Sequence, residues 1–164
     1  MQDGQSAAAW NLKGFCLAEL GRPAEALPAF KLARLYLPTY APIRYNLGMA
    51  LEEAGRPQEA LSEFDEAVKL DSRHAGARIA RGALKVGLGD AAGALADFEE
   101  VVRLSPASAE AYILRGGCLL AAKRFAEAHA DFRRALEIDP SQKERVDELI
   151  AGVAGLPRGE PGAT

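Results

Sequence analysis

Small and bulky apolar residues return along this chain at one fixed interval. Four segments, Trp10-Asn11-Leu12-Lys13-Gly14, Arg44-Tyr45-Asn46-Leu47-Gly48, Arg78-Ile79-Ala80-Arg81-Gly82 and Tyr112-Ile113-Leu114-Arg115-Gly116, close on glycines spaced by 34 residues. Ala26, Ala60, Ala94 and Ala128 keep the same spacing, as do Phe30, Phe64, Phe98 and Phe132. Ala33, Ala67, Val101 and Ala135 follow in register, then Pro38, Ser72, Pro106 and Pro140. A gapless period of this length marks a stack of supersecondary units that bury their apolar faces against one another.

Each unit predicts two helices. The first ends near Gly21, Gly55 or Gly89, because glycine adopts the positive φ usual just past a helix end without steric cost. The fourth unit has Lys123 there, a departure that costs about 1 kcal/mol. Pro23 and Pro57 begin second helices, where a missing N–H does no harm. Pro38, Pro106 and Pro140 end them. Pro28 falls a turn into a second helix, a local irregularity expected to remove a hydrogen bond.

Gly14, Gly48, Gly82 and Gly116 lie within first helices, where glycine costs about 1 kcal/mol against alanine, so close packing is the expected compensation. The expected partners are Ala26, Ala60, Ala94 and Ala128, with the phenylalanines filling the larger gap one turn later. A further helix is predicted over 143–154, with Val146, Leu149, Ile150 and Val153 on one stripe, closing the open face of the last unit. Residues 1–6 are expected to be loose, and the Gly- and Pro-rich segment 155–164 to form a mobile tail.

The period and these residues resemble the tetratricopeptide repeat family. The resemblance spans repeats 7–40, 41–74, 75–108 and 109–142. It implies an all-α fold, a right-handed solenoid of antiparallel helix pairs forming a single domain over 7–154. It also implies a concave face lined by the first helices, used to bind a protein or peptide ligand.

Composition narrows the function further. Of 164 residues, 49% are hydrophobic and 26% charged, with a net charge of −3, so no broad basic surface advertises nucleic-acid binding. The start of the chain lacks a basic region followed by an apolar stretch, and no apolar run reaches the roughly 18–20 residues of a membrane span. A cytoplasmic setting is the expectation. Cys16 and Cys118, the two cysteines, read as small buried hydrophobes three units apart, too distant for a disulfide. His74 and His129 have no cysteine or carboxylate at ligand spacing, so no metal is expected. No nucleophile–base pair, phosphate-cradling loop or paired carboxylates stand out, and neither enzymatic activity nor a cofactor is expected. Glu63, Asp65 and Glu66 read as a solvated face.

First-helix positions off the packed stripe are the candidate groove: Asn11, Phe15 and Ala18; Tyr45, Asn46, Met49 and Glu52; Ile79, Ala80, Ala83 and Val86; Ile113, Leu114, Gly117 and Leu120. Glu19 and Glu53 stand at its rim. This mostly apolar set suits an apolar or amphipathic segment. Asn46 offers an amide able to donate to and accept from a peptide backbone, or to a neighbouring helix, with Tyr45 and Met49 flanking it. One subgroup of the family clamps the carboxylate of acidic chaperone tails with lysines, arginines and asparagines. Of that set only Asn46 is present; Phe15, Gly76 and Ala80 hold places that need polar or basic groups. Tight binding of such tails is not expected. Arg78, Arg81 and Lys85 form a basic stripe that either meets an acidic partner group or pairs with Asp97, Glu99 or Glu100. Self-association through the repeat ends or the groove is the alternative to a peptide-binding scaffold.

Overall fold

The turn closing each first helix sets the repeat geometry. Gly21, Gly55 and Gly89 adopt φ of 70°, 73° and 84°. At Gly55 the chain reverses through paired bonds, Gly55 N–H to the Glu52 carbonyl at 2.9 Å and Arg56 N–H to the Leu51 carbonyl at 2.9 Å. This is the left-handed helix stop that glycine favours. Lys123 adopts the same conformation, φ 60°, with the equivalent bonds to Leu120 and Leu119. A side chain there is strained by about 1 kcal/mol. Lys123→Gly is expected to stabilise the protein, less the entropy a glycine adds to the unfolded chain; a raised urea midpoint in circular dichroism checks it.

The computed structural model describes residues 2–154, with side chains from 6 to 152. The described chain is all-α, and it divides into two compact units at Asp90/Ala91, within the third repeat.

The first unit holds α1 (Gln2–Glu19), α2 (Pro23–Tyr36), α3 (Ala41–Glu53), α4 (Pro57–Leu70) and α5 (Ala75–Gly87). Its core joins Ala26, Leu27, Phe30, Leu47, Leu51, Ala60 and Phe64, with Ala80 and Leu84 from α5. Helix α1 begins at Gln2, inside the segment 1–6 expected to be loose. Helix α2 runs through Pro28, whose ring is exposed. The second unit holds α6 (Ala91–Leu104), α7 (Ala109–Ala121), α8 (Phe125–Ile138), a 3-10 turn at Pro140–Gln142 and α9 (Lys143–Ala154). Ile113, Leu119, Ala128, Phe132 and Ala135 form its main core, which Val146 of α9 joins. Leu149 and Ile150 remain exposed, so the stripe expected to close the last unit is only partly used. The side chain of Val153 and the tail 155–164 lie outside what the structure describes.

The helical glycines pack differently from expectation. A Cβ on Gly14, Gly48 or Gly116 would stand 2.8, 2.5 or 2.7 Å from the ring of Phe30, Phe64 or Phe132. The phenylalanine, not the alanine, occupies the space each glycine leaves. The ring is flat and wide enough to lie on a bare backbone, and the glycine lets the two helices approach around it.

Candidate functional site

First helices of the first unit present their candidate residues in three parallel rows. Helix α1 carries Asn11, Phe15 and Glu19; α3 carries Tyr45, Asn46, Met49, Glu52 and Glu53; α5 carries Ile79, Ala83 and Val86. Spacings of three and four keep each row on one side of its helix. Phe15 and Val86 are half exposed, at 49% and 50%, and Ala83 is open. Met49 is partly buried against the core and shows the rest to solvent. Ile79, Asn46 and Asn11 are half-buried.

Asn46 donates from Nδ2 to Oδ1 of Asn11 at 3.1 Å, tying α3 to α1. Each amide can form more bonds than this one. Tyr45 is more structural than its role as an anchor required. Its ring centroid lies 6.2 Å from that of Phe64 and 5.1 Å from that of His74. His74 in turn accepts from the Ala77 N–H at 3.1 Å, capping α5. Ala80 is buried in the core.

In the second unit fewer candidates are available. Ile113, at 1% exposure, and Leu120 lie in the core rather than on a binding face. The reason is packing of α9 on α7, which puts Val146 in the same cluster. Leu114 packs on the Ala94–Phe98–Cys118 cluster and, like Gly117, stays half-buried.

Electrostatics of the first-unit face are acidic. Glu52 is half-buried, and this burial, then the neighbouring Glu53, pushes its carboxyl above the usual range. Glu19 and Glu53 are exposed. The basic stripe is engaged within the chain: Arg81 pairs with Asp65 at 2.9 Å, and Arg78 donates to the Ser72 carbonyl at 3.1 Å. Lys85 is half-buried and also has a partner interaction.

Two further expectations are corrected. Glu63 is buried, not solvated; it accepts from Arg34 and, at 3.0 Å, from Arg44, bridging α2, α3 and α4. Cys16 is exposed, whereas Cys118 is buried and its thiol pushed up by desolvation. The part-buried pair Arg115–Asp131 was likewise hidden in the sequence. Opposite charges sixteen residues apart, on facing helices, were its available signal. Among the described residues no group of three or more His, Cys, Asp or Glu is placed to hold a metal ion. No described helix is long and apolar enough to cross a membrane.

The fold matches known structures throughout. MamA 41-end from Desulfovibrio magneticus RS-1 aligns at a TM-score of 0.77 and 24% identity, over 97% of this chain and 99% of that one. YrrB, described as a TPR protein with an unusual peptide-binding site, aligns at 0.76 and 23% identity, over 87% and 74%. The first TPR of Spaghetti (RPAP3), bound to the HSP90 peptide SRMEEVD, aligns at 0.70 and 24% identity, over 73% and 95%. No curated protein matches the sequence significantly. Family profiles described as tetratricopeptide repeat match residues 5–73 and 79–143. With an all-α solenoid that keeps the 34-residue register from Gly14 to Gly116, the chain belongs to the tetratricopeptide repeat family.

Proposed function

We propose that this protein is an interaction scaffold that holds an apolar or amphipathic segment of another protein on the α1–α3–α5 face of the first unit. The observation that carries this reading is the exposed apolar set Phe15, Ala83 and Val86, with Met49, flanking the Asn11–Asn46 pair. Exposed apolar area supplies the gain on burial, about 25 cal/mol per Å², and the amides orient a backbone without reading its side chains. The acidic tail seen on the Spaghetti domain is a poor fit here. Its carboxylates would lose water beside Phe15 and Gly76, with Glu52 and Glu53 adding repulsion.

The test is affinity for peptide ligands selected on the intact chain. Phe15→Ala with Asn46→Ala is expected to reduce it tenfold or more, while SRMEEVD itself shows no saturable binding. Unchanged affinity removes this face from the function. A second reading, self-association, is favoured by Leu12 on α1, Leu20 just past its end, and Leu149 and Ile150 on α9, all exposed. Sedimentation across a concentration range separates the two, since self-association raises the sedimenting mass with concentration.

A further inference from the structure

The first unit ends two neighbouring first helices in acid. Helix α1 closes on Glu19, and α3 on Glu52 and Glu53; neither has a basic residue in its last turn. A helix C-terminus carries partial negative charge, so carboxylates there are unfavourable and cations belong there instead. Many other carboxylates are matched by a cation: Glu25 with Arg22, Glu59 with Arg56, Glu127 with Arg124, Glu63 with Arg34 and Arg44, Asp131 with Arg115. Glu19, Glu52 and Glu53 have no hydrogen bond or ion pair among the described residues. Glu52 is also half-buried.

These three carboxylates sit one turn beyond the apolar side chains of the same rows. Glu19 follows Phe15 by four residues, and Glu52 and Glu53 follow Met49 by three and four. Local conflicts of this kind, kept without an internal remedy, are expected where a partner supplies the remedy. We infer that the segment held on this face is cationic: an amphipathic stretch whose apolar side rests on Phe15, Met49 and Val86 while its lysines or arginines meet Glu19, Glu52 and Glu53. The inference rests on the α1–α3–α5 face being the binding site and adds the charge of its occupant. Nucleic acids, anionic lipid surfaces and acidic tails are disfavoured by the same repulsion. Charge complementarity of this type speeds encounter and suppresses wrong partners more than it adds affinity.

Short random peptides displayed on phage would be selected on the intact protein. Recovered peptides would then be measured on Phe15→Ala/Met49→Ala and on Glu19→Gln/Glu52→Gln/Glu53→Gln. The glutamines remove charge from helix ends, so the second variant keeps its fold, which its circular dichroism verifies. The expected peptides carry lysine or arginine beside apolar residues. They lose about tenfold or more in affinity on the glutamine variant, and a similar factor when salt is raised well above physiological strength. Peptides that require Phe15 and Met49 but are neutral or acidic, or are indifferent to the glutamines, overturn the inference and leave the binding face standing. Peptides indifferent to Phe15 and Met49, or no recovered peptide at all, overturn the face and the inference together.

Discussion

Phe64→Ala is expected to lower the free energy of unfolding by about 3–5 kcal/mol, the usual cost of emptying a large aromatic site in a packed core. Phe64 has no exposed surface, and it lies among Leu47, Ala50, Leu51 and Ala60. Its ring also fills the space left by Gly48, where an added Cβ would stand 2.5 Å from the ring edge. Gly48→Ala is therefore expected to destabilise by about 1–3 kcal/mol, although alanine is the better helix former by about 1 kcal/mol. The same exchange at Gly117 should have the opposite sign. Gly117 lies within α7 with nothing near the added methyl, so Gly117→Ala gains helix propensity of up to about 1 kcal/mol. Urea unfolding followed by circular dichroism reads all three. A Gly48→Ala protein as stable as the parent would show that the ring can move aside, and the packing account would fall with it.

Asp131→Ala should cost about 2 kcal/mol by leaving the Arg115 guanidinium without its bidentate partner. Arg115 donates from Nε at 2.7 Å and from Nη2 at 2.6 Å to the two oxygens of Asp131. Asp131 is buried, while the Arg115 side chain keeps a quarter of its surface exposed. That exposure, with Glu99 and Glu127 close by, holds the loss below the value for a fully buried pair. The double replacement Arg115→Leu/Asp131→Ala should recover most of it. Repeat two carries Leu47, fully buried, at the place of Arg115, and repeat one carries Ala29 at the place of Asp131. A double mutant no more stable than Asp131→Ala would show that the arginine is needed for more than its partner.

Much of the fold is legible along the chain because its determinants are local. Gly21, Gly55 and Gly89 mark the turns by backbone freedom, and Pro23 and Pro57 open helices by lacking an N–H, without help from distant residues. The 34-residue register adds the pairing, since each unit must bury its stripe on the next. Lys123 could be read too, because the turn geometry leaves a side chain no alternative.

Contacts between helices were not legible in the same way. Periodicity puts glycine, alanine and phenylalanine on facing sides but does not say which of them meet. Only the packed structure shows the ring of Phe64 over Gly48. Asn46 offered a ligand contact and a neighbouring helix equally, and its bond to Asn11 was decided by the distance between α1 and α3. Ile113 shares its place in the repeat with Asn11, Tyr45 and Ile79, yet the packing of α9 against α7 takes it into the core. Sequence alone thus determined where the helices start, stop and pair, because those rules act within a few residues of backbone. Which side chains are left for a partner depended on neighbours brought close by the stack, and burial is a property of that assembly.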